Sequence, residues 1–505
     1  MNMGTTHGQS ELLAPAPDNR PMAEQDLPPE RFASVFAEFI RRIAAAARPP
    51  ASPLLDRITA HLGSDPAQLP ATTEQFDTFE APNLQLALDA YLREGGRSAE
   101  LVGVSMENKR FLAAGLSELT ARPSQYMPTL QEGPVEYTNY HLANDEVLSC
   151  VHYGLYFIRA EESRLVVLVT GPSEMGDPRR QRLKVEVMSA SATDGASFIA
   201  EITRLMARLN VYRGHTIVLS TGIQIGPGPS ILVQFQNVPK ISRDEVVLPA
   251  GLLERIERHS VTFAEHASEL LAAGRSLKRG ALLFGLPGTG KTLTLMYLIN
   301  RMPGRTVILM TGRGLGQIEI VAKMARQLAP AMVVMEDVDL VAEERTMPGF
   351  RGGPILFELL NEMDGLRDDQ DVIFVLTTNL ADILEPALAA RPGRIDLAVE
   401  LPLPDAEGRS RLIDLYARGL DVSSVDVNAV IERTEGATPA YIKELLRKAA
   451  LYALERSGGD VLIQADVDAA LDELAQGGRL AERLLGFRPD APTGFPPQVM
   501  SRGNR

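Results

Sequence analysis

The sequence predicts an α/β protein. A parallel sheet with crossover helices is closed by a helical lid and preceded by an α-helical region and an α+β domain. Three observations predict this. From residue 279, "RGALLFGLPGTGKTLTLMYLINRM" reads as an apolar strand, a glycine-rich loop and a helix. The runs "RTVILMTG" and "AMVVMEDVD" follow with the amphipathic "QIEIVAKMARQLAP" between them, so the chain alternates β-α-β-α-β. After the last strand, "ATPAYIKELLRKAALYALERSGG" returns to helical spacing.

Composition bounds the function. Of 505 residues, 45% are hydrophobic and 23% charged, so a sizeable core is available and two to four domains are expected. A net charge of −14 argues against coating nucleic acid, which needs clustered Lys and Arg. One cysteine, Cys150, permits no internal disulfide and no cysteine-based zinc site; in "VLSCVHYGLYFI" it reads as a buried thiol. There is no run of about 18 apolar residues, and the opening residues resemble neither a secretory signal nor a transit peptide. No membrane span and a cytoplasmic location are the resulting expectations.

Six segments are expected along the chain. Residues 1–30 read as a disordered tail. Residues 31–120 read as a helical region, in which Phe32, Val35, Phe36, Phe39, Ile40 and Ile43 recur at helical spacing as a packing face. Residues 121–242 read as an α+β domain that recognises a partner, with the strands "CVHYGLYFI", "RLVVLVT", "RLKVEVM", "HTIVLST" and "SILVQFQ" around the helix "GASFIAEITRLMARLN". Its loop "GDPRRQRLK", with Arg179, Arg180, Arg182 and Lys184, is read as solvated. Residues 243–404 form the large α/β subdomain, 405–482 the helical lid and 483–505 a tail. In the lid, Thr438 is the expected N-cap and Pro439 the first helical residue, with Ile442, Leu445, Leu446, Ala449, Ala450, Ala453 and Leu454 on one face.

The chemistry starts at Gly285-Leu-Pro-Gly-Thr-Gly-Lys291-Thr292, a complete G-x-x-x-x-G-K-[ST] between strand and helix. Glycines let successive N–H groups turn toward an anion, and the helix adds its positive end. Lys291 suits the β- and γ-phosphates, and the Thr292 hydroxyl suits Mg²⁺. Farther on, "QDVIFVLTTN" is a buried strand with a polar end, and "ARPGRIDLAVELPLP" places Arg391 and Arg394 three apart.

These motifs resemble the AAA-type ATPases over roughly residues 243–480. "RGALLFGLPGTGKT" resembles the family's Walker A region, "LLNEMDGL" a stretch shared by classical members, and "TTNLADILEPALAARPGRIDL" the second region of homology. The resemblance implies a P-loop NTPase fold that takes ATP and Mg²⁺. Pro287, Gly288, Thr289, Gly290, Lys291, Thr292 and Leu293 would hold the nucleotide, with Ala437 at the sensor 2 position. Asn379 takes the place of sensor 1. Arg391 and Arg394 take the places of the arginine fingers, which act on a neighbouring subunit, so a ring, usually a hexamer, is implied.

The family writes its acids Asp-Glu, whereas this chain has Glu336-Asp337. Aligning the strand and the trailing Asp339 leaves Glu336 at the Mg²⁺-side position and Asp337 at the position of the base. The exchange alters reach by about 1.5 Å, one C–C bond. Glu can still meet the metal, and Asp can accept a proton through an intervening water. The Glu-Asp order, like the α+β domain ahead of the ATPase, is similar to the mitochondrial Rieske-protein translocase subgroup. Where polypeptide-threading members carry an aromatic in the pore loop, this chain has Gly314-Leu315-Gly316; a second candidate loop offers Met347 and Phe350. No H-E-x-x-H occurs, so a fused zinc protease is not expected. The function expected is a ring-forming, Mg²⁺-dependent ATPase that remodels or moves a protein partner chosen by the N-terminal regions. A nucleic-acid motor or loader, and an ATP-binding switch or scaffold without turnover, are the alternatives.

Overall fold

The computed structural model describes residues 29–46, 52–106, 114–121, 130–160, 163–172, 182–222, 230–310, 317–339, 361–365, 367–380 and 394–476. Two seven-stranded sheets organise it.

The first sheet is antiparallel. In chain order its strands are β1 (Ala71–Phe76), β2 (Ser98–Met106), β3 (Leu130–Gly133), β4 (Glu136–His141), β5 (Val147–Arg159), β6 (Arg164–Thr170) and β7 (Leu183–Ser189). They lie in the order β1-β7-β6-β5-β2-β3, with β4 paired to β5. Successive side chains of a strand point to opposite faces, and here both faces are covered. Tyr156, Ile158, Leu165 and Val167 pack under the helices Ala81–Arg93 and Ala192–Arg208. Leu155, Phe157, Val166 and Leu168 pack against the helices Pro53–Leu62 and Leu116–Leu119. Double burial is why β5 and β6 read as continuous apolar runs.

This corrects the reading of residues 31–120 as helical, because β1 and β2 both come from that stretch and join the α+β sheet. β1 is a polar edge strand, "ATTEQF", four of whose six residues are exposed, so it lacks apolar alternation. A second correction concerns the helix Pro29–Ala46. Its expected packing face is open, with Phe32, Val35, Phe36, Phe39 and Ile40 each 45–58% exposed.

The second sheet contains β8 (Thr216–Gly222), β9 (Ser230–Phe235), β10 (Arg279–Phe284), β11 (Thr306–Met310), β12 (Ala331–Met335), β13 (Val372–Thr378) and β14 (Leu397–Glu400). Its order is β14-β10-β13-β12-β11-β8-β9, parallel throughout except for β9, which returns antiparallel to β8. The helix Lys291–Arg301 covers one face through Leu295, Tyr297 and Leu298. The helix Ile318–Gln327 covers the other through Ile318, Val321 and Met324.

The strands β8 and β9 were expected in the domain ending at residue 242. They instead extend the second sheet, since Ile217, Val218 and Leu219 pair with Ile308, Leu309 and Met310. The hairpin supplies the hydrogen bonds that an open β11 edge would lack. The two units are also joined by side chains. Phe79 and Tyr212 belong to the core of the second sheet, and Tyr212 stacks on Phe235 with ring centres 5.6 Å apart. The Tyr212 hydroxyl donates to the Phe79 carbonyl at 2.6 Å. Buried Asn83 accepts from the Val211 N–H at 2.9 Å, and Arg213 donates to the carbonyls of Ala329 and Gln327.

The lid holds the helices Ala406–Tyr416, Val427–Arg433, Pro439–Ser457 and Gln464–Gln476 around one core. Thr438 caps the third helix, its hydroxyl accepting from the Tyr441 N–H, and Pro439 is its first residue. Ile442, Leu445, Leu446, Ala449 and Ala453 are buried, whereas Leu454, expected on that face, is 53% exposed.

At the end of the sheet away from the glycine loop, Asp371 joins two buried arginines. Arg305 reaches it at 2.5 Å and Arg279 at 3.2 Å, and Arg279 lies over the Phe263 ring. Burial pushes the Arg279 guanidinium down to about 10, against the opposing pull of Asp371. Removing one partner of such a cluster strands the other charges out of water. Asp371→Ala is therefore expected to destabilise the fold by about 3–5 kcal/mol, measured by denaturant unfolding. Tyr212→Ala, which empties the joint between the units, is expected to cost about 3–5 kcal/mol by the same measurement.

Candidate functional site

The site lies at the carboxyl ends of β10, β12 and β13, where an open α/β sheet gathers its ligand. The loop from β10 enters the helix Lys291–Arg301, whose first residues are Lys291 and Thr292. Gly288 adopts φ +81°, which suits glycine. A Cβ there would come within 2.9 Å of Ala440 Cβ and 3.0 Å of Thr438 Oγ1. The lid therefore rests directly on the loop, and the Ala440 N–H donates to the Gly288 carbonyl at 3.2 Å. Thr289 is buried, its hydroxyl donating to the Leu286 carbonyl, while Pro287 and Thr292 are exposed and Leu293 is half-buried.

Lys291 is 7% exposed. Its ammonium donates to the Gly285 carbonyl at 2.9 Å, the Leu286 carbonyl at 3.0 Å and Asn379 Oδ1 at 2.7 Å. Burial lowers its pKa, and Asp337 and Asp339 oppose that shift. Asn379 Nδ2 in turn donates to Asp337 Oδ1 at 3.2 Å. Three residues picked from separate motifs thus form one chain, Lys291–Asn379–Asp337. Glu336 is half-buried beside them, its backbone N–H donating to Met310.

Two residues escaped the sequence reading of the site. Thr377 Oγ1 accepts from the Asp337 N–H at 3.0 Å. Asp339 served only to set the register, yet its Oδ1 accepts from Thr378 Oγ1 at 2.8 Å and from the Asn379 N–H at 3.1 Å. The signal for both was polar residues at the ends of buried strands.

Arg394 makes a bidentate pair with Asp364 of "LLNEMDGL" in its own chain. The segment after it is pinned to β10, as the Asp396 N–H donates to the Gly280 carbonyl at 2.9 Å. Ala437 lies inside the lid core at 0% exposure, and the lid residues that touch the loop are Thr438 and Ala440. Arg391, Gly314, Leu315, Gly316, Met347, Phe350, Arg179 and Arg180 lie outside the described residues. Arg182 is paired with Asp77 at 2.7 Å and Lys184 with Glu186 at 2.9 Å. Among the described residues no group of His, Cys, Asp and Glu forms a ready metal cluster, and no helix is long and apolar enough to cross a membrane.

The cradle suits the phosphates of a nucleoside triphosphate. Its backbone is free of Cβ atoms at Gly288 and Gly290, its one buried ammonium is held at the loop, and the Thr292 side chain is exposed at the helix start. A methyl group at Gly288 would strain a left-handed residue and press on the lid. Gly288→Ala is expected to cost about 1–2 kcal/mol of stability, read in thermal unfolding, and to weaken nucleotide binding.

Comparison with known proteins agrees with this geometry. Residues 281–403 match the family described as "ATPase family associated with various cellular activities (AAA)". The chain is 33% identical over 277 residues to "ATP-dependent zinc metalloprotease FtsH 3" of Sphaerobacter thermophilus, covering 52% of this chain and 56% of that protein. It is 28% identical over 335 residues to "ATP-dependent zinc metalloprotease FtsH 1" of Conexibacter woesei, covering 62% and 50%. It is 34% identical over 226 residues to "ATP-dependent zinc metalloprotease FTSH 9, chloroplastic/mitochondrial" of Oryza sativa subsp. japonica, covering 43% and 29%. The chain thus spans about half the length of these relatives or less. With the P-loop cradle, the parallel sheet and the family match over the same residues, this chain carries an ATPase domain of the AAA family.

Proposed function

We propose that this protein is a ring-forming, Mg²⁺-dependent ATP hydrolase that couples turnover to remodelling or moving a protein partner. The observation that carries the reading is the Lys291–Asn379–Asp337 chain, which ties phosphate binder, sensor and base into one unit. The backbone N–H groups of 288–290 and the Lys291 ammonium would hold the phosphates, and Thr292 with Glu336 would hold the metal. Mg²⁺ neutralises charge on the phosphate oxygens. Asp337 Oδ1 is the proton acceptor, and Asn379, already bonded to it, orients the water whose proton it takes.

Completion of the site falls to a neighbouring copy. Arg391 is the guanidinium proposed to cross the boundary, an addition worth about 10³–10⁵ in rate in related phosphoryl-transfer sites. Arg394 already holds Asp364 in its own chain, so its part in a finger role requires that pair to open. The Glu-Asp order and the α+β unit ahead of the motor support placement near the Rieske-protein translocase subgroup. A protein cargo is favoured over nucleic acid by the net charge of −14 and by the pairing of Arg182 and Lys184 within the chain. The α+β unit, packed against the motor at Tyr212, is the proposed reader of that partner. A cytoplasmic location and a hexamer belong to the same proposal.

Phosphate release with ATP and Mg²⁺ tests it. Lys291→Ala is expected to abolish nucleotide binding. Asp337→Asn and Arg391→Ala are expected to abolish turnover while leaving ATP bound. Mixing Asp337→Asn with Arg391→Ala subunits is expected to restore part of the activity, since some boundaries then pair an intact finger with an intact base. A chain that remains monomeric with saturating ATP and hydrolyses at full rate, or an Asp337→Asn protein that still turns over, would contradict the reading. Binding without release in the unaltered protein would identify a switch instead.

A further inference from the structure

We propose that Thr377 is a positioning residue for hydrolysis, its hydroxyl oxygen holding the Asp337 backbone in the left-handed conformation that turns the carboxylate onto Asn379. The inference rests on the reading of Asp337 as proton acceptor and deepens it.

Asp337 has φ +50°. That region is uncommon for residues with a Cβ, Asp entering it more readily than most, and surrounding contacts fix its occupant. Two contacts do so. The Asp337 N–H donates to Thr377 Oγ1 at 3.0 Å, and Asp337 Oδ1 accepts from Asn379 Nδ2 at 3.2 Å. The first restrains the backbone and the second the side chain.

Thr377 is well placed for this. It is 1% exposed in a central strand, following five buried apolar residues, Val372 to Leu376. The last paired residues of β12 and β13 are Met335 and Leu376, so Thr377 stands one residue beyond, where the chain of β12 departs. On its other side it is paired with Leu283 of β10, which leads into the glycine loop. The carboxylate of Asp339 completes a reciprocal arrangement. β13 lends an oxygen to the backbone after β12, and the chain after β12 lends an oxygen to the end of β13, at Thr378 and Asn379. Base and sensor are thereby registered against each other from both sides.

The bland account of Thr377 is that a β-branched residue packs well in a strand. Two near-isosteric substitutions separate the accounts. Thr377→Val keeps the branch and removes the acceptor; Thr377→Ser keeps the acceptor and removes the methyl. Steady-state phosphate release is measured over a range of MgATP concentrations on the full chain, for the unaltered protein, both variants and Asp337→Asn. Equilibrium binding of a fluorescent ATP analogue and thermal unfolding run alongside.

Thr377→Val is expected to lose kcat by about 10²-fold, as for a displaced reacting group. Its KM and its affinity for the analogue are expected to stay within about twofold of the unaltered protein, and Thr377→Ser is expected to keep kcat within about threefold. If Thr377→Val does not fold, Thr377→Ala removes the same acceptor and carries the same expectation. Normal kcat in Thr377→Val, equal losses in Val and Ser, or a loss confined to KM and affinity overturns the proposal. Turnover in Asp337→Asn would remove the underlying assignment of the base. An inactive Asp337→Asn beside an active Thr377→Val removes only the inference about Thr377.

Discussion

Buried at the end of the glycine loop, the Lys291 ammonium is cut off from most of the water that would solvate it. Burial of a charge is tolerated only when partners replace the lost hydration. Here the partners are the Gly285 and Leu286 carbonyls and Asn379 Oδ1, with Asp337 and Asp339 nearby. Three strands must end within reach of one another for this to hold. The sheet order fixes that, because β13 lies between β10, which carries the loop, and β12, which carries the acids. The same contacts leave the ammonium bonded to groups that a phosphate can displace, so binding exchanges one set of oxygens for another. Asn379 links that ammonium to the Asp337 carboxylate through one side chain.

The opposite end of the sheet is stabilised by different means. Asp371, Arg279 and Arg305 tie β10, β11 and β13 together at the end opposite the glycine loop. Buried ion clusters add little net stability compared with apolar packing, but removing one member leaves the others buried and uncompensated. Register at this end is carried through parallel pairing to the carboxyl ends, where an error of one residue would turn the acids to the wrong face.

The hairpin β8–β9 joins the two units. It belongs to the connection between the units, yet it pairs with β11 and closes the edge of the ATP-site sheet. The aromatic group of Phe79, Tyr212 and Phe235 packs behind it. The α+β unit and the large ATPase subdomain thus share a sheet edge and a core. The lid is joined by the Ala440–Gly288 bond, by the Arg418–Asp244 pair to the linker and by Val247 of the linker, which is buried in the lid core.

Sequence alone determined what depends on local spacing. The loop glycines, Lys291 and Thr292 share eight residues with a fixed geometry, and the caps at Thr438 and Pro439 follow from nearest neighbours. Periodicity also gave the buried face of the helix 439–457, apart from Leu454, whose apolar character does not say whether a neighbour is present. The polar edge strand β1 gave no such signal. Nor could sequence assign β8 and β9 to a sheet, since an apolar run reports burial and not the identity of its partner. The roles of Thr377 and Asp339, and the left-handed turn at Asp337, were decided by tertiary structure. Each arises from residues about 40 positions apart, brought to hydrogen-bonding distance only when β12 and β13 lie side by side.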